Sequence, residues 1–166
     1  MNQPELTVAF TGHRPNKIKD GKNEQSENVL HIKHELKRLI AEKIDNGCCC
    51  FLTGMAMGAD IWAAEAVLEL KELHPEIKLI AVIPLPKLAE EFPPEWKTRY
   101  HAVLSQCDET VTVCEQKQSD CFARRNKWLV DHSAHLIGIF NGSRGGSMQT
   151  LNMALMNGSD VQIISC

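Results

Sequence analysis

A chain of 166 residues that is 43% hydrophobic and 23% charged has the length and balance of one globular domain, which excludes both disorder and a fibrous repeat. Its net charge of -3, from 18 basic and 21 acidic residues, excludes a global field that would gather nucleic acid. No apolar run is long enough to span a bilayer, and Met1-Asn2-Gln3-Pro4-Glu5 lacks the order of a signal peptide, so a cytoplasmic address without membrane contact is expected.

Apolar runs alternate with amphipathic stretches, the pattern of β-α-β crossovers on a parallel sheet. Leu6 to Phe10 reads as a first strand. After a polar, lysine-rich loop, Val29, Ile32, Leu36, Leu39, Ile40 and Ile44 recur at the spacing of a helix with one buried face, which Gly47 ends. Cys48 to Leu52 is a second strand, its three contiguous cysteines reading as small side chains in a buried strand. The seven cysteines form no CxxC pair and no metal-finger spacing, so reduced thiols are expected and no metal. Asp60 to Glu72 is a second helix, and Lys78 to Ile83 a third strand, apolar enough to be covered on both faces.

Pro93-Pro94 opens a third helix through Trp96, Tyr100, Val103 and Leu104, because proline is tolerated in a first turn. Glu109 to Cys114 is a fourth strand and Phe122 to His132 a fourth helix. His135 to Phe140, Met148 to Met156 and Val161 to Ile164 follow as strand, helix and strand. With no repeat or linker, residues 1–166 are expected to form a single α/β domain, Rossmann-like, with a mainly parallel sheet and helices on both faces.

Ligands of such sheets bind beyond the carboxyl ends of the strands, where helix amino termini also point. There this chain collects its glycines and unusual polar residues. Strand one runs into Thr11-Gly12-His13-Arg14-Pro15, and strand two into Thr53-Gly54-Met55-Ala56-Met57-Gly58-Ala59-Asp60. Strand three runs into Pro84-Leu85-Pro86, and strand five into Asn141-Gly142-Ser143-Arg144-Gly145-Gly146-Ser147. In this last loop glycines let backbone amides approach an anion, and the following helix, with Thr150 in it, presents its positive end. The alternative is that Gly142, Gly145 and Gly146 only shape turns while Ser147 caps the helix.

The second loop repeats the strand, glycine turn and helix start without the Gly-Lys-Ser/Thr of a Walker loop, so an ATPase mechanism has no support. Asp60 reads equally as a partner for ribose hydroxyls or as a helix cap. Arg124 and Arg125 open the fourth helix, where a cation is electrostatically misplaced unless it serves a ligand, and a guanidinium matches phosphate oxygens. Replacing Arg125 is expected to leave stability almost untouched. Arg14 and Arg144 are weaker candidates, and His13 is either a proton-transfer group or structural. Trp96 and Tyr100, one helical turn apart, offer an aromatic face to a base or pack in the core. His132 and Ser133 lack the GxSxG elbow of a serine hydrolase.

These motifs resemble the SLOG superfamily, named for the DNA-processing protein DprA/Smf and the cytokinin-activating LOG enzymes. Thr53 to Asp60 before an alanine-rich helix looks like the glycine-rich turn of DprA proteins. Phe122 to Leu155, with Arg125, His132-Ser133 and Gly145-Gly146, looks like the arginine-helix-strand-GG segment of LOG enzymes. With Phe10-Thr11-Gly12-His13-Arg14-Pro15, the chain is most similar to the YpsA-like branch, a domain-of-unknown-function family. The resemblance implies a nucleotide-derivative pocket with Arg125 on a phosphate. It does not carry over phosphoribohydrolase activity, because Asn152 stands about where LOG enzymes place a glutamate, and an amide cannot exchange a proton as a carboxylate does.

The first expectation for function is therefore a sensor or regulatory module that binds a nucleotide or ADP-ribose-like ligand and reports it to a protein partner. The ligand-binding set is Thr11, Gly12, His13, Arg14, Thr53, Gly54, Gly58, Asp60, Arg125, Asn141, Gly145, Gly146, Ser147 and Thr150, with no cofactor beyond that ligand. The alternative is a hydrolase of an N-glycosidic or phosphoester bond using Asp60 or another acid. Third comes DprA-like binding of single-stranded DNA, disfavoured by an acidic chain with three Trp, one Tyr and five Phe. Homo-oligomerisation is left open.

Overall fold

The computed structural model describes residues 3–166 and turns the expected alternation into six strands and five helices. The strands are β1 (Thr7–Gly12), β2 (Cys50–Thr53), β3 (Lys78–Ile83), β4 (Glu109–Thr112), β5 (His135–Phe140) and β6 (Asp160–Ser165). The helices are α1 (Glu27–Asp45), α2 (Ala59–Lys71), α3 (Pro94–Gln106), α4 (Cys121–Asp131) and α5 (Gly146–Met156). All neighbouring strands pair in parallel, in the order β4-β3-β2-β1-β5-β6. This is a Rossmann-like α/β arrangement.

The helices form where the sequence supplies both a stripe and a start. Ser26 caps α1 by accepting the Val29 N–H at 3.2 Å, and Glu27 in the first turn and Lys43 in the last complement the helix dipole. Its Val29, Ile32, Leu36 and Ile40 are buried against α2 and the sheet. α2 is buried nearly all round, through Ile61, Trp62, Ala64 and Val67, because it lies between the sheet and α1 and α3. A second, smaller core joins Ala9, Leu52, Ile80 and Val82 of the sheet to Leu129 of α4 and Leu151 and Ala154 of α5. Helices thus cover both faces. Among the described residues no helix is long and apolar enough to cross a membrane.

Three local differences from the sequence reading have physical causes. β1 runs on to Gly12, because β5 pairs with it as far as Gly12 opposite Ile139. β2 starts only at Cys50, since the Cys48 N–H is taken by the Lys43 carbonyl as α1 closes. The expectation of seven reduced thiols fails at two: the segment after β4 folds back so that Cys114 and Cys121 stand with Cα atoms 5.9 Å apart and form a disulfide. The remaining cysteines are free, and burial pushes Cys107 up to about 11 and Cys48, Cys50 and Cys166 upward, which keeps these thiols protonated and unreactive.

The strand order fixes where a ligand can enter. From β1 the chain proceeds to β2, β3 and β4 on one side, then returns to β5 and β6 on the other. The loops leaving β1 and β5 therefore diverge and open a crevice between adjacent strands at their carboxyl ends.

Candidate functional site

Gly12 ends β1 where the start of α2 presses against it. A β-carbon here would lie 2.4 Å from the Ala59 β-carbon and 2.9 Å from that of Ile139. Glycine alone allows this approach, and it brings the Ala59 N–H to the His13 carbonyl at 3.3 Å. Next to it, the His13 Nε2–H donates to Asn141 Oδ1 at 2.8 Å, an oxygen that also accepts the Ser143 N–H at 3.0 Å. Asn141 in turn donates to the Lys17 carbonyl at 2.9 Å, so the β1 and β5 loops are stitched across the crevice.

Burial holds His13 below the ordinary histidine value of 6.5, with Lys17 acting the same way and the Asn141 bond opposing. The folded protein then binds fewer protons at this site than the unfolded chain, and stability falls as pH drops below about 6.5. Urea unfolding at about pH 5 and about pH 7.5 should show this loss in the parent and a smaller one in His13→Gln.

The β2 loop and α4 contribute a buried pair of opposite charges. Asp60 and Arg125 are each only 6% exposed. Arg125 reaches from the second turn of α4, its Nη1 donating to the Gly54 carbonyl and its Nε donating to Asn126 Oδ1 at 2.8 Å. Among the described residues Nη2 has no protein partner. Asp60 Oδ2 accepts the Ala56 N–H at 3.2 Å, and the Thr53 hydroxyl donates to the Asp60 carbonyl at 3.0 Å.

A β-carbon on Gly54 would fall 2.8 Å from Asp60 Oδ2 and 2.9 Å from Arg125 Nη1. Two charges thus confront each other across a bare glycine without a direct ion pair. Burial pushes Asp60 up despite Arg125, the Ala56 N–H and Arg14, and pushes Arg125 down despite Asp60. Each charge lacks part of the compensation that burial demands.

The third contribution is helix termini. α2 begins behind Gly58 (φ 87°) and α5 behind Gly145 (φ 145°), and neither has a side chain capping its first amides. At α2 the His13 carbonyl takes the Ala59 N–H, whereas among the described residues the first N–H groups of α5 have no backbone or side-chain acceptor. Ser147 is the second residue of α5 and does not cap it, and Asp60, second in α2, secures the preceding loop through Ala56. Met55 at the β2 turn holds φ 62°, a left-handed conformation uncommon outside glycine, with its N–H on the Thr53 hydroxyl at 3.3 Å.

Together these elements enclose a cleft of about 440 Å³. Of the residues singled out in the sequence, Thr11, Gly12, His13, Arg14, Asp60, Arg125, Gly146 and Ser147 line it. Thr53, Gly54, Gly58, Asn141, Gly145 and Thr150 do not line it; Thr150, for example, is fully buried and donates to the Gly146 carbonyl at 2.8 Å, while Asn141 is exposed. Asn16, Lys17, Ala56, Phe122 and Asn126 also line the cleft without having been singled out. The Asn126 amide, which orients Arg125, was detectable only as a polar neighbour of the arginine.

Other candidates lie elsewhere. Arg124 turns to Cys114 Sγ and Gln118, Arg144 is exposed outside the cleft, and Ser133 donates to the Leu129 carbonyl at 2.7 Å. Trp96 and Tyr100 are core residues, 7% and 2% exposed. Arg125 itself departs from expectation: it is buried and bonded, so replacing it must cost stability.

A doubly covered parallel sheet with an arginine-bearing crevice at its switch point defines the class: Rossmann-like α/β domains. Within that class the chain belongs to the YspA SLOG family, whose YpsA model matches residues 8–164. It is 29% identical over 160 residues to the UPF0398 protein of Bacillus pumilus (strain SAFR-032), covering 95% of this chain and 85% of that one. To the UPF0398 protein YpsA of Bacillus subtilis (strain 168) it is 27% identical over 143 residues, covering 84% and 78%.

Among solved structures, the fold is similar to DNA processing protein A (DprA) from Streptococcus pneumoniae, with a TM-score of 0.63, 21% identity and 95% of this chain covered. It is likewise similar to DprA from Helicobacter pylori, described for its single-stranded DNA binding mode, with a TM-score of 0.64, 20% identity and 96% covered. The chain spans 49% and 65% of those two proteins.

Proposed function

We infer that this domain binds a phosphate-bearing, nucleotide-derived ligand, a nucleotide or an ADP-ribose-like molecule, and acts in the cytoplasm as a sensor or regulatory module. The observation that carries this reading is Arg125, a guanidinium 6% exposed with two nitrogens held by Gly54 and Asn126 and the third free at the cleft. Asp60 opposite compensates such a buried cation only in part, and a phosphate supplies a further anion while also accepting from the first amides of α5. A thermal-shift screen tests it: nucleoside mono- and diphosphates and ADP-ribose should raise the unfolding temperature where the parent nucleosides do not. If no phosphorylated compound shifts unfolding, the reading fails.

Gly146 gives a sharper check. A β-carbon there would meet only Asn126 Nδ2, at 3.7 Å, an ordinary contact, so Gly146→Ala should fold normally and gain up to about 1 kcal/mol of helix propensity. If phosphate rests on the α5 amides, calorimetry should show weaker binding to this variant even though it is no less stable than the parent.

A second reading is a hydrolase that uses Asp60. It is favoured by the position of this carboxyl on the cleft and by the burial that raises its affinity for a proton, as suits a general acid. Release of base or phosphate from nucleoside monophosphates, abolished in Asp60→Asn, would select it. Asn152 is exposed on α5 outside the cleft, which gives no support to a LOG-type reaction. Single-stranded DNA binding, described for the Helicobacter pylori protein, has the fold likeness behind it and the net charge of -3 against it.

A further inference from the structure

We propose that Phe122 and the cavity behind it form a nucleobase subsite that takes an amino-bearing base, a deduction that rests on the phosphate reading of the cleft. Phe122 lies in the first turn of α4 and is 39% exposed, a large aromatic surface left uncovered where Trp96 and Tyr100 are packed away. It borders two cavities at once. One is the cleft holding Arg125, and the other is a cavity of about 360 Å³ walled by Leu85, Pro86 and Leu88. The Arg125 guanidinium carbon sits 5.7 Å from the centre of the Phe122 ring, so the aromatic is fixed beside the group that would hold the phosphate.

The two cavities differ in charge in the sense a nucleotide requires. The second is rimmed by Glu90, Glu91 and Glu115 against Lys87 and Lys117, with Glu90 facing Lys87 at 3.9 Å. Carboxylates thus outnumber ammonium groups by one there, while the cations Arg14, Lys17 and Arg125 outnumber Asp60 in the cleft. Carboxylates repel a phosphate and accept only, so they match the exocyclic amino edge of a base and disfavour the carbonyl edge that replaces it. The pointer to a ligand is independent of these acids: it is the free Nη2 of buried Arg125 across the Phe122 ridge. Phosphate at Arg125, sugar over the ridge, and base on Phe122 toward the acidic rim is the orientation both fields select. The 360 Å³ and 440 Å³ spaces each fall in the range of small-molecule pockets.

Calorimetry on the full chain with ribose 5-phosphate, AMP and IMP as probes tests this. The parent should bind AMP roughly ten-fold more tightly than ribose 5-phosphate, the margin that stacking on an aromatic side chain supplies. Phe122→Ala should weaken AMP far more than ribose 5-phosphate and so erase that margin, while Phe122→Trp preserves it. AMP should be preferred to IMP, and Glu90→Gln with Glu91→Gln and Glu115→Gln should remove that preference. Equal affinity for AMP and ribose 5-phosphate in the parent overturns the subsite while leaving the phosphate site standing. So does a margin that survives Phe122→Ala, or an equal loss of both probes. AMP and IMP binding alike refutes the amino-edge assignment, and binding of none of the three removes the phosphate reading and the subsite together.

Discussion

Arg125→Ala should lose about 1.5–3 kcal/mol of binding free energy for phosphate-bearing probes, the worth of hydrogen bonds to a charged group, or roughly ten- to a hundred-fold in Kd. The same variant should unfold more easily, because Asp60, 6% exposed, then keeps its burial without the cation opposite. Breaking a touching buried pair costs roughly 3–5 kcal/mol, and here, with no direct ion pair, about 1–3 kcal/mol is expected. Adding Asp60→Asn to Arg125→Ala should restore most of that stability and none of the binding. Arg125→Lys should keep part of the stability but lose phosphate affinity, since an ammonium cannot hold Gly54 and the ligand with one planar fork.

The stability deficit of Arg125→Ala should also depend on pH, with a definite sign. Burial raises Asp60 above its ordinary carboxyl value of 3.8, so the folded state holds the proton more tightly than the unfolded chain. Below that ordinary value both states are protonated and the deficit is small. It grows once pH passes the raised value at which Asp60 ionises in the folded parent, and levels off when the carboxyl, raised further without the guanidinium, has ionised in the folded variant too. A deficit that is flat with pH, or an Asp60→Asn change that does not reduce it, would show that the two side chains are uncoupled.

Much of the fold was legible because each element repeats its own period. The stripe Val29, Ile32, Leu36, Leu39 and Ile40 predicts α1, and the apolar run after Lys78 predicts a strand covered on both faces. The convergence of loops was legible too, since parallel β-α-β chains send every strand's carboxyl end to one edge, and glycines and arginines concentrated there. What the sequence hides is depth and company. Arg125 looks like a surface residue at a helix start until Leu129 and the sheet pull α4 inward and the guanidinium meets Gly54. Phe122 looks like the first apolar residue of a helix, and only its exposure separates it from Trp96 and Tyr100. The Cys114–Cys121 pairing depends on the path of the segment between them, which no spacing rule supplies.

Gly12→Val should be among the most destabilising single changes in the cleft and should disable it as well. Even the first added carbon meets the Ala59 β-carbon at 2.4 Å, the Ile139 β-carbon at 2.9 Å and the Ile139 carbonyl at 3.0 Å. No flexible side-chain tip is available to yield: β1 and β5 are central paired strands and Ala59 opens a helix buried almost all round. Overpacking of this kind costs roughly 1–3 kcal/mol where neighbours can adjust, and Gly12→Val should exceed the upper end of that range in a denaturant titration. Relief comes only by moving the start of α2 off the sheet, and that displaces Asp60, one residue beyond Ala59, from Gly54 and Arg125. Gly12→Ala should therefore lose both stability and phosphate binding, and Ala59→Gly in the same chain should recover part of each by removing the closest contact. By contrast, Gly142→Ala meets nothing within 4 Å, so its cost should be confined to the strain of φ 87°. Equal destabilisation by the Gly12→Ala and Gly142→Ala changes would mean that the approach of α2 to β1 does not set the geometry of the cleft.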